Sequence, residues 1–130
     1  MDFGNAAPYR VLIVDDDPDV LATTEAILCD VCEVVTASNG EKAIQLLDAE
    51  RFDAVCTDYA MTGMTGLDVI RYSSQLPNFI GKILLTARHE IGDGSGYYVL
   101  IKPCAPQRLL DVVIRACALS RRRSELKKLR

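Results

Sequence analysis

VLIVDDDPDV, residues 11–20, runs four apolar residues directly into three adjacent aspartates. Successive apolar side chains, without alternation, fit a strand buried on both faces of a parallel sheet. The acids then stand where the chain leaves the sheet. Asp17 precedes Pro18 and an apolar-periodic segment, the pattern of a helix N-cap followed by proline at the first helical position. Asp15 and Asp16 remain as two carboxylates at a strand end, and their mutual repulsion has to be relieved by something.

Similar runs recur along the chain. Residues 11–14, 33–37, 54–57, 80–85 and 97–101 read as five strands. Between them, Val20, Leu21, Ile27, Leu28 and Val31 fall at helical spacing, as do Ala43, Ile44 and Leu47, and later Leu109, Leu110, Val113, Ile114 and Cys117. Ser38 and Glu41 have capping-box spacing, Asn39-Gly40 marks a turn, Pro77 should end the third helix, and Pro106 suits a first helical turn. Repeated βα units in one chain predict a doubly wound α/β sheet, whose ligands bind beyond the carboxyl ends of the strands.

The 130 residues, 49% hydrophobic and 25% charged, match one compact domain. No apolar run is long enough to span a bilayer, and MDFGNAAPYR has neither a basic start nor an apolar signal core, so the expected location is cytoplasmic. Five cysteines in such a chain read as reduced thiols. Cys29 and Cys32 form a lone CxxC without a second pair or a nearby histidine, which fits a helix end followed by a strand start better than a zinc site. The net charge of −3 hides an asymmetry: residues 1–120 carry 9 basic and 17 acidic side chains, whereas 121–130 (RRRSELKKLR) carry 6 and 1. Residues 1–120 therefore read as the domain, and 121–130 as a basic helical extension or tail.

The strand ends gather polar groups. Asp15 and Asp16 follow the first strand, Asp58 the third, Thr86 the fourth and Lys102-Pro103 the fifth. Three carboxylates together would raise one another's pKa values unless a cation intervenes. Mg²⁺ is the expected one, since it takes hard oxygen ligands and works beside phosphoryl groups. A carboxylate beside it can attack phosphorus, and Lys102 and Thr86 can hold the transferred phosphoryl oxygens. Taken singly, Thr86 reads as a strand residue, Lys102 as a solvated strand end and each aspartate as a turn former; the set at consecutive strand ends is what carries the chemistry.

VLIVDDDPDV, VVTASNGEKAI, FDAVCTDYAMTGMTG, KILLTAR and LIKP occur in this order between residues 10 and 119. In these pieces the chain resembles the receiver domains of two-component response regulators, in the manner of the single-domain chemotaxis regulators. The resemblance implies a flavodoxin-like five-stranded parallel sheet of order 2-1-3-4-5. It implies phosphorelay signalling in which Asp58 takes a phosphoryl group from a histidine kinase or histidine phosphotransfer protein. Asp16, Asp58 and the Ala60 carbonyl would bind Mg²⁺, Asp15 would hold its water shell, Thr86 and Lys102 would contact the phosphoryl group, and the Lys102–Pro103 bond would be cis. Such a domain is not an enzyme beyond assisting its own phosphorylation and dephosphorylation. Its output would be a switch in contacts with a downstream protein, without direct nucleic-acid or membrane binding and with homodimerisation left open. Should the chain be a fragment of a longer regulator, RRRSELKKLR would begin a helical linker.

Three positions depart from the family pattern. Thr62 replaces the usual proline after Asp58; Gly63 and Gly66 can still supply the turn, predicting a somewhat looser loop. Val99 stands where an aromatic is usual, three residues before Lys102. Tyr97, on the same strand face by the period of two, is the expected substitute; a Tyr97→Ala protein whose phosphorylation still shifts its output face normally would contradict this. Finally, ARHEIGDGSG (87–96) is short and glycine-rich for a parallel crossover, predicting a vestigial or missing fourth helix. Ordering of this stretch on activation is one reading of it; His89 within it reads as an exposed polar residue, while the resemblance puts Arg88 and Ala60 where the family tunes the lifetime of the phosphoryl group. Two rival readings remain: a pseudo-receiver that docks partners without taking phosphate, and a haloacid-dehalogenase-like phosphatase with Asp15 as nucleophile. The second is weakened because Asp19 occupies the Thr/Val position of the D-x-D-x-[TV] motif.

Overall fold

The computed structural model describes residues 7–87 and 96–129. Its elements run β1 (Tyr9–Val14), α1 (Pro18–Leu28), β2 (Cys32–Ala37), α2 (Gly40–Ala49), β3 (Ala54–Asp58), α3 (Gly66–Ser74), β4 (Gly81–Thr86), β5 (Tyr98–Ile101) and α4 (Pro106–Lys128). The five strands form one parallel sheet of order β2-β1-β3-β4-β5, as expected. Strand order reverses between β1 and β3, so their carboxyl ends open a crevice at the switch point.

Alternate side chains of the strands feed two cores. Val11 and Ile13 of β1, Cys56 of β3 and Ile83 and Leu85 of β4 pack with Leu28 of α1 and Leu109, Val113 and Cys117 of α4. Leu12, Val14 and Val55 point the other way and pack with Ala43 and Leu47 of α2 and Val69 of α3. Burial on both faces explains why β1 is apolar at successive residues rather than alternating. The central strands therefore hold their carboxyl ends on a rigid base.

Helix starts follow local chemistry. Asp17 caps α1, accepting the Asp19 N–H at 2.9 Å, with Pro18 at the first position. The cap of α2 is Asn39 rather than Ser38: Asn39 Oδ1 accepts the Lys42 N–H at 2.8 Å, while Ser38 Oγ accepts only the Lys42 ammonium. Both residue types can cap, and the backbone enters the helix one residue later than the Ser38–Glu41 spacing predicts. A reciprocal capping box instead starts α3, between Thr65 and Asp68. That helix ends at Ser74, ahead of Pro77; the hydroxyls of Ser73 and Ser74 both donate to the Ile70 carbonyl and compete with the helical ladder. Val31 lies beyond α1, in the turn before β2, and is exposed.

The expectation that the fourth crossover helix is reduced falls almost wholly on residues 88–95, which lie outside the described residues together with Arg88 and His89. Tyr97 is half-buried and packs with Tyr59 and Leu67 around Ile70 and Leu84, the core on the α3 side, whereas Tyr98 packs into the opposite core. That is the face division the period of two predicts.

The terminal helix is continuous across residue 120. Ser120 Oγ donates to the Asp53 carbonyl at 2.5 Å, and Arg121 pairs with the Asp53 carboxylate at 2.7 Å while donating to the Ala7 and Pro8 carbonyls. Its guanidinium also lies 4.5 Å from the Tyr9 ring centroid. One side chain thus ties α4, β1 and the turn before β3 together. Arg121→Ala should lower stability by about 1–2 kcal/mol, because it leaves Asp53 and two carbonyls without their charged donor. Thermal unfolding should shift down by roughly 3–8 °C, and an unchanged midpoint would show that the contacts carry no net stability.

Candidate functional site

At the crevice the elements deliver the residues that the strand ends promised. The β1 backbone runs on to Asp15, whose N–H still donates to the Ala37 carbonyl of β2 at 3.2 Å. Asp15 is buried, and its Oδ1 accepts the Asp17 N–H at 2.9 Å, so the same turn that caps α1 orients this carboxylate. Asp16 is exposed; its Oδ2 accepts the Thr62 N–H at 3.3 Å, linking it to the loop after Asp58. Asp58, the last residue of β3, is buried. One carboxylate oxygen from each of Asp15, Asp16 and Asp58 lies within 4.8 Å of the others.

Lys102, expected beside the phosphoryl group, brings its ammonium to these carboxylates. Lys102 Nζ lies 2.7 Å from Asp58 Oδ1 and 3.7 Å from Asp15 Oδ2. It is carried there by a backbone bond from the Lys102 N–H to the Thr86 carbonyl at 2.8 Å, and the Lys102–Pro103 peptide is cis. Thr86 is buried at the end of the neighbouring strand β4.

Electrostatics follow burial. Burial raises the Asp15 carboxyl above its ordinary range, opposed by the Asp17 N–H bond and abetted by the charge of Asp58. For Lys102 burial works downward, but the hydrogen bond to Asp58 and the charges of Asp58 and Asp15 outweigh it and the ammonium is held above its usual value. Carboxylates buried together thus retain a protonated lysine. A set of three carboxylate oxygens, with no sulfur or imidazole among them, suits a hard dication such as Mg²⁺. The five free thiols do not enter this cluster; the CxxC is split between exposed Cys29 and buried Cys32.

Two glycines, both expected from sequence to serve the turn after Asp58, complete the site in different ways. Gly66 opens α3 directly against β3, and a Cβ there would stand 2.2 Å from the Asp58 carbonyl oxygen. Gly63 adopts φ +82° in the loop between Asp58 and α3, a left-handed conformation that glycine takes without strain. The repeated TG in MTGMTG was the signal available for both, but only folding shows that one serves a turn and the other a close approach.

Comparisons with known proteins agree with this geometry. The Response regulator receiver domain family matches residues 11–114. The transcriptional regulatory protein PrrA of Mycobacterium tuberculosis is 36% identical over 131 residues, covering 95% of this chain and 54% of PrrA. An uncharacterised 14.6 kDa protein of Leptolyngbya boryana is 34% identical over 121 residues, covering 85% of this chain and 92% of its own length. The chain spans about half the length of the first curated relatives it matches. Among solved structures, the chemotaxis response regulator CheY4 of Vibrio cholerae superposes with a TM-score of 0.75 at 30% identity, covering 85% of this chain and 99% of that one. A CheY-like receiver domain from Methanospirillum hungatei reaches a TM-score of 0.82 at 23% identity over 90% and 99% of the two chains, a likeness of fold. With the switch-point crevice, its acids and its lysine in this arrangement, the chain belongs to the response regulator receiver domain family of two-component signalling.

Proposed function

We propose that this receiver takes a phosphoryl group on Asp58 from the phosphohistidine of a histidine kinase or phosphotransfer protein, and signals by changing its contacts with a downstream protein. The observation that carries this is the Asp58 carboxylate at the end of a central strand, with two further carboxylates within 4.8 Å and an ammonium at 2.7 Å. Asp58 Oδ would attack phosphorus as the P–N bond to the donor imidazole breaks, the imidazole leaving with its electron pair and taking a proton from solvent. Asp16, Asp58 and the Ala60 carbonyl would hold Mg²⁺, with Asp15 acting through water. Bound there, the ion would neutralise the carboxylates and the incoming phosphoryl oxygens. Lys102 would exchange its Asp58 oxygen for a phosphoryl oxygen, and the Thr86 hydroxyl would turn to donate to another. Tyr97, packed beside Leu84, would follow the Thr86 end of β4 and report the change to the surface.

The domain is regulatory in this reading. A phosphatase using Asp15 as nucleophile is disfavoured because Asp15 Oδ1 accepts the Asp17 N–H of the turn that caps α1, and because Asp19 stands at the Thr/Val position of that family's motif. No described helix is long and apolar enough to cross a membrane. PrrA is a transcriptional regulatory protein; output through an attached DNA-binding segment becomes the alternative to protein contact if this chain is part of a longer regulator. Intact mass spectrometry after acetyl phosphate and Mg²⁺ should show one phosphoryl adduct on the wild type and none on Asp58→Asn. No wild-type adduct would leave a binding module that never takes phosphate, and an adduct surviving the substitution would move the acceptor elsewhere.

A further inference from the structure

At the amino ends of the strands, opposite the acidic crevice, we infer a docking groove for an acidic peptide segment with an apolar anchor. It lies between the last turns of α4 and the loop before β4. Phe79 in that loop keeps 40% of its surface exposed and walls three adjoining hollows of about 310, 480 and 520 Å³. Lys127 of α4 closes over it, with Nζ 5.9 Å from the ring centroid and donating to the Pro77 carbonyl at 3.1 Å. The groove is held open rather than collapsed because Ser120 and Arg121 clamp the helix to Asp53 beneath it.

Its lining is predominantly basic. Arg10 is committed to Glu33 and Glu50, and Arg121 to Asp53. Arg51, Arg123 and Lys128 line the same hollows, and among the described residues no carboxylate pairs with them. An otherwise acidic chain therefore presents three uncommitted cations around one exposed aromatic, the arrangement of a hot-spot residue inside a polar rim. Nucleic acid fits less well. Tight phosphate binding draws on about 6–10 cationic contacts, whereas this groove offers few free cations and places Glu125 among them. A membrane surface would need a broad apolar face rather than a concave one.

The test uses a fluorescein-labelled peptide of glutamates and aspartates around a central Trp-Leu pair, followed by fluorescence anisotropy with the full chain. Saturable binding is expected, weakened about tenfold or more by Phe79→Ala, by Arg51→Glu and by Lys128→Glu, each of which changes an exposed side chain. Replacing the peptide's Trp-Leu with Gly-Gly should weaken it similarly, and raised salt should weaken both peptides. No saturable binding, binding indifferent to Phe79→Ala, or equal competition by oligothymidylate or by phosphatidylserine vesicles would overturn the assignment. The readout involves neither Asp58 nor Mg²⁺, so it is independent of the phosphoryl acceptor.

Discussion

Gly66→Ala should destabilise this domain by about 3 kcal/mol, the upper end of the usual cost of overpacking, because the new methyl meets backbone rather than a movable side chain. Its Cβ would lie 2.2 Å from the Asp58 oxygen and 2.9 Å from the Asp58 carbonyl carbon, with Leu84 Cδ1 behind at 3.0 Å. Either α3 lifts from the sheet or the end of β3 shifts, and both move the carboxylate that lies among Asp15, Asp16 and Lys102. A fall in thermal midpoint of roughly 10–15 °C is expected, together with weaker Mg²⁺ binding measured by the quenching or shift of an intrinsic signal. Two other glycines serve as controls. At Gly40 the added methyl would stand 2.8 Å from Met64 Cβ, Cγ and Sδ; rotation frees the outer atoms, but Cβ moves only with its loop, so a loss between those at Gly63 and Gly66 is expected. At Gly63 it meets nothing closer than Glu41 Oε1 at 3.8 Å, so only the strain of φ +82° remains, about 1 kcal/mol. If Gly66→Ala proved no worse than Gly63→Ala, the close approach to Asp58 would carry no weight in either stability or the site.

The contrast among these glycines marks how far the sequence could be read. The fold and the acidic crevice were legible because burial on both faces leaves runs such as VLIV and AVCT, and the same parallel topology brings the residues just beyond each run to one edge of the sheet. Asp15, Asp58 and Lys102 needed no knowledge of loops to be brought together. Capping was legible only to within a residue, since Ser38 and Asn39 offer the same chemistry and the path of the backbone chooses between them. The Asp53–Arg121 clamp was not legible: it joins residues 68 positions apart through polar atoms that follow no period. Nor was the role of Phe79, which in sequence is one more apolar residue before a strand. Side-chain periodicity reports which face is buried, and says little about which exposed groups meet.

Lys102→Met should make the stability of the metal-free domain newly dependent on the charge of its acids. In the wild type the ammonium lies 2.7 Å from Asp58 and 3.7 Å from Asp15, while 34% of the lysine side chain remains exposed. Breaking a fully buried pair costs about 3–5 kcal/mol; with solvent reaching the lysine, about 1–2 kcal/mol is expected near neutral pH. The direction of the pH dependence is set by the shifts. Asp15 already has a raised carboxyl pKa from burial, and removing the nearby cation raises it further, so the folded variant takes up protons more readily than the unfolded chain. Its deficit against the wild type should be full above the carboxylate range and shrink as pH falls through it, where the acids become neutral and Lys102 has no partner to stabilise. The raised Lys102 pKa itself matters only at alkaline pH, where its contribution is lost as the ammonium deprotonates. Excess Mg²⁺ should raise the midpoint of the variant by more than that of the wild type, since a dication among the three carboxylates no longer competes with an ammonium for Asp58. Melting both proteins from pH 4 to pH 8, with and without Mg²⁺, reads the whole pattern. A variant deficit that stays constant with pH, or an equal response to Mg²⁺, would mean that Lys102 acts by packing its methylenes and that the acids of VLIVDDDPDV are kept apart by solvent instead.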